Sequence, residues 1–499
     1  MAVHSWLIAP DLWRSAYSMS LFTVEEVLEI TNAHVVSGRS VNGRRIGIRR
    51  LCTDSRRVRA GDLFVALKGE HFDGHQFVEA AFRSGAVGAV VQDRFRPTPL
   101  EKRTGRRPGL AASILLGVPD PLLAYQQMAA HHRRRFDIPI VAVTGSNGKT
   151  TTKDMVAEVL AQRWRVLESE GNLNNRIGVP QTLLRLTSRH EAAVVEMGVD
   201  QKGQTTRLGE IAAPTIGLIT NIGPDHLEFF GSLEASAQAK GELLDLLPPD
   251  GAAVLNADDA YYEYLASRAR CRVLSFGLSP RAQVRATEVL TDSSRGTAFR
   301  LSLPGRARGE RAFLRVHGIH NVSNALAAAA VGHLLGVSAV GIVRGLARFR
   351  PAAMRSQVFT WSGVRVINDC YNANPASMKA AIDLLAELGK GRRTIAVLGD
   401  MLELGPEAVA LHRDVGAYLA GRGVSQLIAC GVLGRELAAG ARAAGMAAGS
   451  VREAPDAVAA GVQLHTAVQA GDVVLVKASR GMKMERVIEP LTTGRRKSV

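Results

Sequence analysis

Cysteine is scarce in this chain of 499 residues, and its four copies are scattered. Cys52, Cys271, Cys370 and Cys430 stand too far apart for a metal-binding pair or a disulfide framework, so a reducing, cytoplasmic setting is expected. Long apolar runs are also missing. No stretch of about 18 uninterrupted apolar residues occurs, which excludes a helical membrane span as the organising feature. Aromatic residues make up only 5% of the chain, and none interleaves the basic runs Arg44-Arg45, Arg106-Arg107 and Arg133-Arg134-Arg135. The net charge of +16 therefore reads as solvated surface and not as a nucleic-acid face. The first 18 residues carry no basic segment followed by an apolar one, so they do not form a signal peptide. Met19 is expected to be a real or alternative start, with residues 1–20 a leader outside the fold.

What the chain does have is length and alternation. At about 150 residues per domain, three domains are expected. An N-terminal α/β unit covers 21–119, with strand-like Asp62-Leu-Phe-Val-Ala-Leu and helical Phe77-Val-Glu-Ala-Ala-Phe. A central unit covers 120–350, where strands alternate with helices and predict a parallel sheet covered on both faces. A third unit covers 351–499 and repeats that alternation. Residues 94–109 are rich in Pro, Arg and Gly and read as an inserted loop with no assigned function.

The most informative run is Ile140-Val-Ala-Val-Thr144 followed by Gly145-Ser146-Asn147-Gly148-Lys149-Thr150-Thr151. A β-branched strand enters a glycine turn, and the turn opens a helix. Such a turn aims successive backbone N–H groups into one concavity at the positive end of the helix, which suits a phosphate chain. Lys149 can reach terminal phosphates, and the Thr150 hydroxyl can ligate Mg²⁺. Only two residues separate the glycines, where the common phosphate loop has four. Two other strands end suggestively: Ala192-Ala-Val-Val-Glu196, and Ile216-Gly-Leu-Ile-Thr220-Asn221 before Gly223-Pro224-Asp225-His226. Ligands bind at the carboxyl ends of parallel strands, so the three sites are expected to converge. Read alone, His226 is a structural histidine and Lys240 a solvated lysine. The asparagines of 171–178 either make turns or line a substrate channel. Asp369 could take a ribose hydroxyl, while Asn374 caps a helix that begins at Pro375.

Taken together these motifs resemble the Mur ligases of peptidoglycan synthesis. Thr144-Gly-Ser-Asn-Gly-Lys-Thr-Thr151, Gly171-Asn-Leu-Asn-Asn175, Glu196-Met-Gly198, Thr220-Asn-Ile-Gly-Pro-Asp-His226, Gly318-Ile-His-Asn-Val-Ser-Asn324 and Asp369-Cys-Tyr-Asn-Ala-Asn-Pro375 occur in the family's order. Leu398-Gly-Asp-Met-Leu-Glu-Leu-Gly405 and Val476-Lys-Ala-Ser-Arg-Gly-Met482 agree, as does Asp54-Ser-Arg56 near the start. The likeness covers about residues 21 to 490 and is strongest to the dipeptide-adding type. It implies an α/β fold of three domains: an N-terminal UDP-substrate domain, a central ATPase domain and a C-terminal Rossmann-like domain. It also implies an ATP-dependent amide ligase that joins D-alanyl-D-alanine to UDP-N-acetylmuramoyl-tripeptide through an acyl phosphate. ATP and two Mg²⁺ ions would be needed. A cytoplasmic monomer without nucleic-acid or stable membrane partners is expected.

By motif, the resemblance places Gly145, Asn147, Gly148, Lys149, Thr150 and Thr151 on the nucleotide phosphates. Thr150 and Glu196 would hold one Mg²⁺, with His226 and Lys240 serving a second. Lys240 matches a lysine that is carbamylated in the family. Asn174 would be catalytic. Asn321 and Asn324 would lie near adenine, and Arg355 and Asp369 would reach ATP from the third domain. Ser55, Arg56, Lys68 and the rest of 68–75 would handle the UDP-sugar, with Asn172, Asn175, Asn372 and Asn374 on the peptide substrates. The chain departs from the family at Arg176, Gln204, Met354 and Ala478, the last two standing where glycine is usual. The ligase that adds the third amino acid is a rival, but its Asp-Asn-Pro-Arg motif is missing. A nucleotide-binding regulator is the alternative from another class, and no Asn-Lys-x-Asp base-reading motif supports it.

Overall fold

The computed structural model describes residues 20–38, 46–70, 72–96, 113–292 and 295–493. Residues 1–19 of the expected leader and most of the 94–109 insertion, together with His71, lie outside the described residues. The chain divides into two compact units. One runs to Asp137 and takes in Pro180–Thr187; the other spans Ile138–Val179 and continues from Ser188.

In the first unit, β1 (Phe22–Thr23) leads directly into helix α1 (Val24–Thr31). Thr23 and Glu26 close a reciprocal capping box there, a device worth about 1 kcal/mol. β2 (His34–Ser37), β3 (Gly47–Ile48), β4 (Arg50–Cys52), β5 (Asp62–Val65), β6 (Gly88–Gln92) and β7 (Ile114–Val118) follow. β1 pairs with β3, and the others form a sheet in the order β2-β7-β6-β5-β4. The last four run parallel, and β2 is antiparallel to β7. Phe64, Ala66, Ala89, Val91 and Leu115 bury one face of this sheet with Val78 and Ala81. Helix α2 (Pro121–Arg134) starts at an Asp120 cap with proline at its first position, where the missing N–H costs nothing.

The second unit holds two sheets. The nine-stranded sheet has the order β16-β15-β14-β13-β12-β11-β8-β10-β9. Its strands are β8 (Ile140–Thr144), β9 (Val166–Glu168), β10 (Ala192–Glu196), β11 (Ile216–Ile219), β12 (Ala252–Asn256), β13 (Arg272–Gly277), β14 (Val284–Asp292), β15 (Gly296–Ser302) and β16 (Glu310–Leu314). From β9 to β14 the strands are parallel, as the sequence predicts; β15 and β16 add an antiparallel edge. Helix α3 (Lys149–Leu160) packs on this sheet through Met155, Val156, Val159 and Leu160. Each such fully buried side chain stabilises by roughly 1.5–3 kcal/mol. Beyond it the chain forms α4 (Leu227–Phe230), α5 (Leu233–Asp245) and α6 (Ile319–Leu334). The alanines of α6, Ala325 and Ala327 to Ala330, are all buried in the same core and let its backbone lie close to α3.

The six-stranded sheet has the order β17-β18-β22-β19-β20-β21. It is built from β17 (Gln357–Trp361), β18 (Val364–Asn368), β19 (Thr394–Gly399), β20 (Gln426–Cys430), β21 (Val451–Ala454) and β22 (Val473–Lys477). Only β17 runs antiparallel. Helix α7 (Pro375–Leu388) begins at Asn374, whose side chain accepts the Ser377 N–H, as the sequence expects. Helices α8 (Ala408–Gly421) and α9 (Gly434–Ala443) complete the layer used below.

Candidate active site

β8 lies between β10 and β11, so the carboxyl ends of three adjacent strands deliver the glycine turn, Glu196 and Thr220-Asn221 to one place. The turn is shaped for a backbone that only glycine adopts easily. Gly145 has φ +133°, and a Cβ there would stand 2.1 Å from Thr220 Oγ1. Gly148, at φ +79°, caps α3, and its Cβ would lie 2.4 Å from Asn324 Oδ1. β11 then clamps the turn. Thr220 Oγ1 and Asn221 Nδ2 donate to the Asn147 carbonyl at 2.7 and 3.0 Å, while Asn221 Oδ1 accepts the Asn147 N–H at 3.0 Å. Lys149 curls back, donating to the carbonyls of Gly145 (2.6 Å) and Ser146 (3.1 Å). Thr150 is buried in the first turn of α3, and Thr151 follows it.

Glu196 ends β10 and is only 1% exposed. Its Oε1 accepts a hydrogen bond from Asn174 Nδ2 at 2.8 Å. Its Oε2 is buried with no partner among the described residues. A buried, half-satisfied carboxylate is costly unless something cationic completes it. The donor set fits Mg²⁺, which takes one or two carboxylates together with substrate phosphates. Among the described residues no three His, Cys, Asp or Glu side chains form a closed cage. The loop that carries Asn174 is held by Lys153, which donates to the Ser169 carbonyl at 2.8 Å and pairs with Asp154 and Glu168.

Lys240, in α5, is 0% exposed. Its Nζ donates to Asp225 Oδ1 (2.9 Å) and Ser236 Oγ (2.6 Å) and lies 4.6 Å from the centre of the Phe230 ring. Burial pushes its proton affinity below that of an ordinary lysine, and nearby Lys149 adds to this; Asp225 opposes both. Burial alone would raise the Asp225 carboxyl. The charges of Lys240 and Lys149 and a 2.5 Å hydrogen bond from Ser146 Oγ outweigh it and hold the carboxyl below the usual range. The solvated lysine expected from local sequence is thus a buried one, because an aspartate in the loop after β11 and a serine one helical turn back give it partners. His226 caps α4 at φ +52°, and its Nδ1 lies 2.6 Å from Glu403 Oε2.

The six-stranded sheet adds a second cluster. Asp369 follows β18 and takes the Lys477 ammonium on Oδ2 (2.5 Å) and the Ser356 N–H on Oδ1 (2.7 Å). Burial works against its charge, but Lys477 prevails and keeps the carboxyl below its ordinary value. Lys477 also donates to the Asn372 carbonyl at 2.8 Å. Arg355 stacks on Tyr371, 3.8 Å from the ring centre, between Met354 and Ser356, both at positive φ. At φ +62°, Met354 occupies a conformation that favours glycine. The two sheets meet at the phosphate turn, where Asn374 Nδ2 donates to Asn147 Oδ1 at 2.8 Å.

Other expected site residues sit as follows. Asn321 and Asn324 are buried at the start of α6; Asn324 accepts from Thr152 Oγ1 at 3.2 Å and donates to Asn321 Oδ1 at 3.3 Å. Asn175 closes a turn by accepting the N–H groups of Ile177 and Gly178, and Asn172 is exposed. In the first unit, Ser55 and Arg56 open a short 3-10 turn, where Arg56 forks onto Asp54 at 2.9 Å for each nitrogen. Lys68 and Asp73 pair through their backbones in an isolated antiparallel bridge, and the Asp73 carboxylate lies 2.6 Å from His75 Nδ1. Sequence reasoning named neither Asp225, Lys477, Ser146 nor Glu403 as a site residue, although all four lie inside motifs it quoted.

Comparison with known proteins agrees with this geometry. Residues 143–332 match the Mur ligase middle domain, 354–480 the Mur ligase glutamate ligase domain, and 47–130 the Mur ligase family catalytic domain. The UDP-N-acetylmuramoyl-tripeptide–D-alanyl-D-alanine ligase of Synechocystis is 39% identical over 95% of this chain and 97% of its own. The Bacillus subtilis protein of the same name is 37% identical over 88% and 92%. The MurF crystal structure from Acinetobacter baumannii superposes with a TM-score of 0.83 at 31% identity, covering 94% of this chain and 98% of that one. MurF from Thermotoga maritima, solved with ADP, gives 0.73 at 26% identity, covering 88% and 96%. On its clamped phosphate turn, its half-satisfied strand-end glutamate and these extended likenesses, the chain belongs to the Mur ligase family.

Proposed function

We propose that this chain is the ligase that joins D-alanyl-D-alanine to UDP-N-acetylmuramoyl-tripeptide, consuming ATP and releasing ADP and phosphate. The observation that carries the reading is the meeting of the phosphate turn and the unpartnered Glu196 oxygen at adjacent strand ends, with buried Lys240 of α5 tied to the turn through Asp225 and Ser146. The relatives named for this activity support it. Three regions would share the work: 21–119 for the UDP-sugar, 120–350 for ATP and 351–499 for closing the site. A cytoplasmic monomer suffices; no helix among the described residues is long and apolar enough to cross a membrane.

A carboxylate is a poor acyl donor, and phosphorylation gives it a leaving group. An oxygen of the tripeptide's terminal carboxylate attacks the γ-phosphorus of ATP, and the bond to the β-phosphate oxygen breaks to release ADP. The free amine of the dipeptide then attacks the acyl carbon. After loss of a proton, the tetrahedral intermediate expels phosphate and leaves the amide. Lys149 and the N–H groups of Gly145, Gly148, Thr150 and Thr151 neutralise and orient the β- and γ-phosphates, while Asn147, its N–H held by Asn221, shapes the turn around them. Thr150 and Glu196 would hold one Mg²⁺ and His226 and Lys240 a second; when bound, these ions would offset charge on the transferring phosphoryl. Asn174 serves catalysis as a positioning residue, keeping Glu196 oriented. Burial lowers the hold of Lys240 on its proton, and the neutral amine can add carbon dioxide with loss of a proton; the resulting carbamate would supply the anion a second cation needs. Asn321 and Asn324 border the adenine, Arg355 and Asp369 bind ATP, Ser55, Arg56 and Lys68 bind the UDP-sugar, and Asn172, Asn175, Asn372 and Asn374 bind the peptide parts.

Tripeptide carrying ¹⁸O in its terminal carboxylate tests the acyl-phosphate step. One labelled oxygen per turnover is expected in the released phosphate. Unlabelled phosphate would rule out transfer through that carboxylate.

A further inference from the structure

Glu403 has no role in the reading above, yet it makes two bonds to the segment that carries His226. Its Oε2 lies 2.6 Å from His226 Nδ1, and its carbonyl accepts the Glu228 N–H at 3.1 Å. Glu403 follows β19 of the six-stranded sheet, whereas His226 follows β11 of the nine-stranded one. A lone carboxylate–histidine contact with Glu403 47% exposed would carry little weight. The surroundings show more than that. Both residues hold left-handed backbone, φ +52° at His226 and +63° at Glu403, a strain that persists only where neighbours enforce it. The Glu403 loop is pinned by the Met401 N–H on His412 Nε2 and the Leu402 N–H on Ser479 Oγ, each at 2.9 Å. Gly405, at φ +61°, lets the loop lie against α4, for a Cβ there would stand 3.3 Å from Glu228 Cα.

A carboxylate on Nδ1 fixes the proton there and leaves Nε2 as the lone pair available for a ligand or metal. Among the described residues no partner for Nε2 is present. We propose that Glu403 is a positioning residue that holds His226 in its Nδ1–H tautomer and, arriving from the other sheet, does so only while the two sheets are docked. The purpose rests on the reading of His226 as a Mg²⁺ ligand; the tautomer itself does not.

The test uses full-length protein labelled with ¹⁵N-histidine at a pH where the ring is neutral, with His226→Gln identifying the His226 signals. Wild type is expected to show Nδ1 protonated and Nε2 bare. Glu403→Ala should return the ring to the Nε2–H form preferred by an unconstrained histidine side chain. It should also raise the Mg²⁺ concentration for half-maximal activity by roughly 10–100-fold and weaken Mn²⁺ binding to the ADP complex in parallel. Glu403→Gln, whose amide oxygen still accepts from Nδ1, should recover most of both. An unchanged tautomer in Glu403→Ala overturns the proposal. A changed tautomer with unchanged Mn²⁺ affinity in both Glu403→Ala and His226→Gln sinks the metal reading of His226 and leaves the positioning intact.

Discussion

Replacing Asp225 with asparagine tests the electrostatics of the site most sharply. Among the described residues, Asp225 is the one carboxylate bonded to the Lys240 ammonium, at 2.9 Å, and Lys240 is 0% exposed. Asparagine keeps the shape and can still accept from Ser146 Oγ, but it strands the buried charge. Breaking one side of a buried pair costs about 3–5 kcal/mol. The lysine has an escape, which is to lose its proton. At about 1.36 kcal/mol per pH unit below an ordinary lysine value of about 10.4, that escape caps the loss from the stranded charge near 4.6 kcal/mol at pH 7. The cap falls to about 1.9 kcal/mol at pH 9, because less work is then needed to deprotonate. Asp225→Asn should therefore destabilise by about 3–4.6 kcal/mol at neutral pH and by 2 kcal/mol or less at about pH 9. Urea unfolding in buffers free of carbon dioxide measures this, read from Trp164 on the central core with the other tryptophans replaced by phenylalanine. A loss below about 1 kcal/mol at pH 7, or one that does not shrink at pH 9, would refute the claim that a buried ammonium depends on Asp225.

Gly145→Ala should add about 1–3 kcal/mol of backbone strain at φ +133° as well as the clash with Thr220. Thermal-shift measurements should find both a lower melting temperature and no stabilisation by an ATP analogue. Asn174→Ala should leave Glu196 unoriented and raise the Mg²⁺ requirement of turnover by roughly 10–100-fold, with the fold unchanged by circular dichroism. His412 is buried, its Nε2 accepts the Met401 N–H, and burial depresses its proton affinity. The unfolded chain then binds the extra proton more readily, so stability is complete above about pH 6.5 and is lost as pH falls through the depressed folded value. Denaturation midpoints between pH 7.5 and 5 should fall less in His412→Gln than in wild type.

The phosphate turn was legible because its signals are local: a β-branched strand, two glycines at forced conformations and a lysine at the helix start. Convergence of Glu196 with it was legible from the rule that parallel strands present ligands at their carboxyl ends. The antiparallel edge of β14 to β16 was not foreseen, though the alternating exposure of β14 is the signature of a half-buried strand. Lys240 was illegible from local sequence because its partners come from a loop 15 residues earlier and from the preceding helical turn. Lys477 and Glu403 were missed for a similar reason. Each sits at or beyond a strand end whose chemistry depends on which strand lies beside it, and pairing order is a tertiary fact.

The central claim is tested most directly by phosphate release with UDP-N-acetylmuramoyl-tripeptide and ATP, comparing D-alanyl-D-alanine with single amino acids. Turnover with the dipeptide, together with a product heavier by one dipeptide less water, is expected. Turnover with diaminopimelate on the shorter dipeptide precursor, and none with D-alanyl-D-alanine, would contradict it.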